Sequence, residues 1–387
     1  MTTPRIEVAQ IVTRFIAGAG GVAFRGALHL DAERYRITIV TGEGGHLADR
    51  AREAGMRVLI EPCLVSPLSP RRDATALSRL TEICRREAFD VVHTHSAKAG
   101  ALGRIAARRA GVPVVVHTYH GFPFHDFQDP VRHAAYVAIE RRLARITDHV
   151  LAIGTGVAAE ALRRGLASPT NLRTVAPVVE SETVPRDARS RSTARALLEL
   201  PDDVPVIGTV ARADYQKAPE HLLAALARMR TSDALVAWVG DGPLLEPVRK
   251  RAAALGLGDR FLMLGERSDV AHILPAFDVF ALSSRYEGLP CAIVEAMRCG
   301  LPVVATSVNS VPDLVVPGLS GVLVPPGRPD VMAQALDGVL GDRDLAARLS
   351  AGGRELSGES FDAERLSEVL DDVYRSGLAA RSLAMAG

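Results

Sequence analysis

Two carboxylates, Glu287 and Glu295, stand eight positions apart in the stretch DVFALSSRYEGLPCAIVEAMRCGLPVVAT, residues 278–306. A carboxylate accepts hydrogen bonds from hydroxyls. Between the two, Gly288 lets backbone approach a ligand closely, and Pro290 suits the opening of a helix. The N–H groups at that helix start form an anion site. A loop that offers N–H groups to phosphate and carboxylates to hydroxyls suits a nucleotide sugar. A second group is cationic: Arg212 and Lys217 lie five apart in GTVARADYQK. An Arg fork and a Lys point charge on one loop can neutralise a diphosphate. A third is imidazole: seven of the eleven histidines fall between 93 and 149, five of them in HTHSAKAG and HTYHGFPFHDF. His93, His95, His117 and His120 sit at adjacent strand ends, but no carboxylate or Cys completes a ligand spacing, and alternate strand residues face opposite ways. His120, followed by Gly121, reads better as a polar group at a strand's carboxyl end, available for a hydrogen bond or proton transfer.

The elements that must carry these groups alternate strand and helix. Apolar runs predict strands near 5–12, 36–40, 56–61, 89–93, 112–116, 148–152 and 172–175, each followed by a helical stretch. The rhythm restarts at 205–210, 234–239, 260–263, 279–282, 302–305 and 321–324, with helices over 329–340, 342–352 and 361–376. This is an α/β pattern of two doubly wound, Rossmann-like parallel-sheet domains facing across a cleft, with ligand loops at the strands' carboxyl ends. The first domain spans 1–178, with the helix 361–376 a candidate to pack back on it. Residues 179–204, rich in Arg, Ser, Glu and Asp, read as a linker or peripheral segment, and 205–387 as the second domain. Gly-rich turns mark further ligand edges at Gly18 to Gly21, at Gly240 in VGDGP, and at Gly265 with Arg267. The first of these formally fits the dinucleotide pattern. However, about five residues separate it from its strand, and the second strand lacks an acidic tip, so no nicotinamide or flavin is expected.

Length and composition narrow the class. With 387 residues and 48% hydrophobic content, the chain has material for two cores, and four cysteines without C-x-x-C spacing indicate neither zinc nor a disulfide framework. The opening MTTPRIEVAQ has no basic and apolar leader, and no run approaches membrane-spanning length, so a cytoplasmic protein is expected. Residues 1–175 carry 24 Lys and Arg against 16 Asp and Glu, a net of +8. Residues 176–387 carry 22 against 29, a net of −7, which together give +1. The basic half suits an anionic acceptor or peripheral contact with a membrane surface, or is a scatter of solvated arginines. Nucleic acid is not an expected partner. Only three of the 46 basic residues are lysines. One of them, Lys98 at a helix start, is the candidate for an acceptor phosphate.

Together these features resemble the retaining glycosyltransferases of family four, which have the GT-B fold. The resemblance covers essentially the whole chain and rests on EGLPCAIVE (Glu287 to Glu295) followed by AM and GLPV, GTVARADYQK, VGDGP and the glycine loop, in that order. It implies that Arg212 and Lys217 stabilise the departing diphosphate. Glu295 would hold the ribose diol, and Glu287 the donor sugar's hydroxyls, helped by the backbone of Gly288 and Leu289. It further implies that Gly20 and Gly21 close over phosphates and sugar, that His120 touches the sugar, and that the loop at Gly265 and Arg267 faces the base. No cofactor, no metal and no protein nucleophile are implied. The chain departs from the family at 176–180, where APVVE replaces an Asn-Gly-x-Asp loop. The expected partners are a nucleotide-sugar donor and either a polyprenyl-linked glycan or a small molecule such as an aminocyclitol as acceptor. A nucleotide-sugar epimerase is a rival enzyme reading. A non-catalytic sugar-binding protein is a third, disfavoured because such proteins usually carry an export leader.

Overall fold

A computed structural model describes residues 4–386 apart from 17, 126, 177, 180–182 and 362. The chain forms two compact units, one of residues 1–178 with 362–387, the other of residues 179–361. The second unit therefore includes the segment 179–204, and the first includes the C-terminal helix Ala363–Ala386. Within 179–204 a helix, Ala188–Leu197, is pinned by its own arginines. Arg195 is fully buried and bonds the Asp278 carboxylate at 2.6 Å, with Arg186 on the other oxygen at 2.6 Å. Few large apolar side chains made the stretch read as a linker. Buried charge pairing holds it in place instead.

The first unit is a seven-stranded parallel sheet. Its spatial order is Arg57–Ile60, Tyr35–Gly44, Ile6–Phe15, Val91–His95, Val114–Tyr119, His149–Ile153, Leu172–Val175. The two central strands Val91–His95 and Val114–Tyr119 are buried at every position, as strands covered on both faces must be. Two sequence readings need correction here. The first strand continues to Phe15, so the turn at Gly18 follows its strand tightly. The second strand continues to Gly44 and does carry an acidic residue at its tip, Glu43, which Arg14 engages at 3.1 Å. Polar residues at the strand ends hid both extensions from an apolar-run reading.

The second unit is a six-stranded parallel sheet ordered Phe261–Gly265, Leu235–Val239, Val206–Val210, Val279–Leu282, Val303–Thr306, Gly321–Val324. Its core gathers Trp238, Phe261, Leu222, Leu223 and Met332. In each unit the strand order reverses beside the first strand of that unit: between Ile6–Phe15 and Val91–His95, and between Val206–Val210 and Val279–Leu282. Loops diverge from such a switch point in opposite directions and leave a crevice at the strands' carboxyl ends. The chemistry-bearing residues lie on those loops.

Candidate active site

At the second unit's switch point, the loop after Val206–Val210 meets the loop after Val279–Leu282. Contacts from Ser283 and Arg285 fix their meeting. The Ser283 hydroxyl donates to the carbonyls of Lys217 and Ala218 at 3.1 and 3.0 Å. The Arg285 amide donates to Gln216 O at 2.8 Å, and its guanidinium donates to Tyr215 O at 2.6 Å and stacks 4.1 Å over the Tyr215 ring. Ala218, left-handed at φ 50°, turns the chain into the helix Pro219–Leu226. So held, Lys217 Nζ lies 2.5 Å from Glu287 Oε1. Ser284 donates to the same oxygen at 2.6 Å, and the Gln216 amide donates to Oε2 at 3.2 Å. Glu287 is buried, and this set of donors is what makes its burial tolerable. Its own N–H goes to Asn309 Oδ1 at 2.8 Å.

Arg212 is the outer cation. Its side chain is 70% exposed, and it pairs with Asp214 at 2.8 Å. It also reaches Gln216 Oε1 at 3.5 Å, so Gln216 stands between Arg212 and the Glu287 carboxylate. The structure thus gathers Arg212, Lys217 and Glu287 within one hydrogen-bonded group. The floor beside them depends on glycine. Gly240 has φ 134°, and a Cβ there would meet Ala211 O at 2.1 Å. Its amide donates to Gly265 O at 2.7 Å, tying the VGDGP turn to the Gly265 loop. Arg267, in that loop, makes a two-pronged pair with Asp269 at 2.8 and 2.6 Å, which holds the Asp269 carboxyl below its usual range.

The helix Cys291–Cys299 begins directly after Gly288, Leu289 and Pro290, with Pro290 extended at φ −76°. Ile293, Val294, Ala296 and Met297 face the core, which leaves Cys291, Glu295 and Arg298 on the half-exposed face at helical spacing. Glu295 therefore belongs to the second turn of a helix whose start adjoins Glu287. The first-turn N–H groups of such a helix lack intrahelical acceptors and favour an anion.

The first unit's site is different in kind. Gly18 is exposed at φ 55°, a conformation that favours glycine, and caps the helix Ala19–Leu28. Gly20 and Gly21 are buried, and a Cβ at Gly20 would lie 2.8 Å from Arg14 O. Close packing of helix on strand is thus reason enough for glycine at position 20. The histidines form a network. His95 Nδ1 and His120 Nε2 are 2.9 Å apart, and His95 Nε2 lies 2.7 Å from Gln10 Oε1. Gln10 Nε2 donates to Tyr374 Oη at 2.9 Å. That oxygen is 2.7 Å from His93 Nδ1, and His93 Nε2 is 2.7 Å from Thr118 Oγ1. His117 is bonded separately, its Nδ1 2.8 Å from Thr94 Oγ1. Burial lowers His120 to about 4 and His93 to about 3, and depresses His95 and His117 as well, so the cluster is uncharged at neutral pH.

Lys98 is engaged elsewhere, its ammonium on Asp73 Oδ1 at 2.8 Å and on Pro67 O. In the segment 176–180, Pro177 and Glu180 lie outside the described residues, and Val178 O accepts from Arg25 Nε at 2.5 Å. Sequence reasoning missed Gln216, Ser284 and Asn309 as partners of Glu287, and Gln10 and Tyr374 as partners of the histidines. Position beside a named residue signals the first two. Nothing local signals Tyr374, which lies 281 residues from His93.

Comparison with known proteins identifies the family. Residues 190–356 match the model of glycosyl transferases group 1, and residues 17–177 that of the glycosyl transferase 4-like domain. The chain is 33% identical over 362 residues to D-inositol 3-phosphate glycosyltransferase of Saccharomonospora viridis, covering 85% of this chain and 82% of the relative. It is 29% identical over 379 residues to an Escherichia coli relative, UDP-Gal:alpha-D-GlcNAc-diphosphoundecaprenol alpha-1,3-galactosyltransferase, covering 96% and 97%. Among solved structures, Anabaena HepE in complex with UDP and glucose superposes with TM-score 0.83 at 20% identity, covering 96% of this chain and all of that one. The chain belongs to family four of the glycosyltransferases, enzymes of the GT-B fold that use nucleotide sugars.

Proposed function

We propose that this enzyme transfers a sugar from a UDP-sugar, with retention at the anomeric carbon, to a polyprenyl-diphosphate-linked glycan, in the assembly of a cell-surface polysaccharide. The observation that carries the donor half is the Arg212–Gln216–Glu287–Lys217 group at the switch point. When the bond from the anomeric carbon to the diphosphate breaks, negative charge grows on the departing oxygen. Two cations and a helix start within one loop cluster stabilise that charge more than they stabilise the intact donor, which is the condition for acceleration. Such a set does the work that a divalent ion does elsewhere, and turnover is therefore metal-independent in this reading. Glu287, fixed by its donors, holds sugar hydroxyls together with the Gly288 and Leu289 backbone. Glu295 takes the ribose diol, the Gly240 and Gly265 turns bear on the base, and Gly20, Gly21 and His120 act on phosphates and sugar from the first unit.

The acceptor half rests on the Escherichia coli relative, whose name gives an undecaprenol-linked acceptor and which matches nearly end to end. Contact with a membrane surface accords with the excess of Arg in residues 1–175. Among the described residues no helix is long and apolar enough to cross a membrane. A second reading, transfer to a soluble aminocyclitol, is supported by the 28% identity to alpha-D-kanosaminyltransferase of Streptomyces kanamyceticus over 75% of this chain. The test is to incubate the protein with a panel of UDP-sugars, with either short-chain polyprenyl-diphosphate-GlcNAc or aminocyclitols, plus and minus chelator. The proposal expects UDP release only with the lipid-linked acceptor, an α-linked product from an α-donor by proton NMR, and no effect of chelator. A β-linked product, or epimerised donor without acceptor, contradicts it.

A further inference from the structure

Two residues before Glu287, on the same loop, Arg285 turns its guanidinium into the fold. Nη1 donates to the Tyr215 carbonyl at 2.6 Å, and Nη2 pairs with Glu220 and lies 3.2 Å from His221 Nε2. The flat head stacks 4.1 Å over the Tyr215 ring, whose face attracts a cation. Only 15% of the side chain is exposed, against 70% for Arg212, and both terminal nitrogens are engaged. Arg285 is thus built to hold protein, whereas Arg212 stands at the solvent edge.

What it holds is the turn that carries Lys217. Tyr215 lies just before that lysine, and Glu220 and His221 just after it, so one side chain grips both flanks of the turn. The Arg285 amide adds a bond to Gln216 O at 2.8 Å. Asp214 braces the same turn from its other end, with Oδ1 accepting from Lys217 N at 3.0 Å. A lysine ammonium rides on a flexible stem, so it is placed only as well as its backbone is. Arg285 belongs to the loop that presents Glu287, and it therefore fixes the two ends of the Lys217–Glu287 pair against each other.

We propose that Arg285 is a positioning residue for the transfer reaction: it clamps the Lys217 turn onto the Glu287 loop and so sets where the ammonium stands when the diphosphate departs. The proposal rests on the reading of Lys217 as a cation that meets that diphosphate. In this role Arg285 touches no part of the donor and acts on the reaction through Lys217. Misplacing a reacting or stabilising group by about 1 Å can cost on the order of a hundredfold in rate. Such a clamp is felt in turnover, while donor binding, spread over many groups, changes little.

The test is a double-mutant cycle in kcat at saturating UDP-sugar and polyprenyl-diphosphate-GlcNAc, with donor Kd measured beside it. Arg285→Lys keeps the charge but loses the flat fork, since one ammonium cannot bond Tyr215 O and Glu220 together while lying on the ring. It should lower kcat about tenfold and leave donor Kd within about threefold. In a Lys217→Ala background the same change should cost less than about twofold, because the group it positions is gone. Tyr215→Leu changes an exposed side chain and leaves the backbone carbonyl in place. It should lower kcat about threefold, again with no further loss beside Lys217→Ala. Wild-type kcat in Arg285→Lys overturns the proposal; should that variant not fold, wild-type kcat in Tyr215→Leu does so. A loss that persists undiminished in the Lys217→Ala background also overturns it, because Arg285 would then act through its own charge or through the fold. If Lys217→Ala itself turns over normally, the underlying role of Lys217 is wrong. If Lys217→Ala is impaired and Arg285→Lys is not, only the clamp is wrong.

Discussion

The two switch-point sites solve opposite problems. The second unit concentrates charge: Lys217 against a buried Glu287, with Arg212 at the solvent edge. The first unit's histidine cluster is instead kept uncharged, with His93, His95, His117 and His120 all pushed toward the neutral form, first of all by burial. In the proposed reaction the charged group serves the departing diphosphate, where charge grows, and the uncharged group is left to hydrogen-bond hydroxyls. The difference teaches that similar crevices in two similar sheets acquire different tasks from side chains alone.

Breaking the charged half should cost most. Lys217→Ala removes a cation and takes one of three side-chain donors from buried Glu287, so kcat should fall by about 10²–10³-fold. Tm should fall too, since an under-paired buried carboxylate destabilises the fold. Arg212→Ala tests the same idea without the structural cost, because the side chain is 70% exposed. A loss of about 10–100-fold in kcat with Tm unchanged is expected, and unchanged kcat would remove Arg212 from the leaving-group role.

The neutral half makes a prediction in pH. His120 and His93 have folded values of about 4 and about 3, below the ordinary 6.5. The unfolded chain therefore binds more protons between those limits, and stability rises with pH there. The contribution is complete above about pH 6.5 and is lost as pH falls through 4 toward 3. Urea melts between pH 7 and 4 should show this slope, and His120→Gln should flatten its upper part. A variant as steep as wild type would mean that His120 is not held neutral. Smaller effects sharpen the contrast at its margins. Glu295→Ala should raise the donor KM by about tenfold with kcat nearly unchanged, because ribose binding is equal in the ground and transition states. A Lys98→Ala variant should lower acceptor affinity only if Lys98 leaves Asp73 to meet an acceptor phosphate, and unchanged affinity assigns it to Asp73 alone.

Much of this was legible in the sequence, for physical reasons. Buried parallel strands read as apolar runs, so the alternation, the two sheets and the loops carrying Arg212, Lys217 and Glu287 could be placed. What the runs conceal is polar backbone pairing: the strand ends at Phe15 and Gly44 continue through Thr13, Arg14, Thr41 and Glu43 because neighbouring strands hydrogen-bond them. The segment 179–204 looked peripheral because its anchor is Arg195 on Asp278, 83 residues away. Lys217 and Glu287 each had a role, but their 2.5 Å contact bridges 70 residues. Tyr374 and Gln10, 364 residues apart, meet only because the C-terminal helix joins the first unit. Local patterns report what each residue can do, and tertiary packing decides with whom.

The central claim is that Arg212 and Lys217 act on the departing diphosphate. It is tested most directly by single-turnover release of UDP from a saturating UDP-sugar in the presence of the polyprenyl-diphosphate-GlcNAc acceptor. Donor Kd is measured in parallel. The account predicts that Lys217→Ala slows release by at least about a hundredfold while donor Kd changes by less than about fivefold. A variant that releases UDP at the wild-type rate once saturated, with its whole defect in Kd, would contradict it.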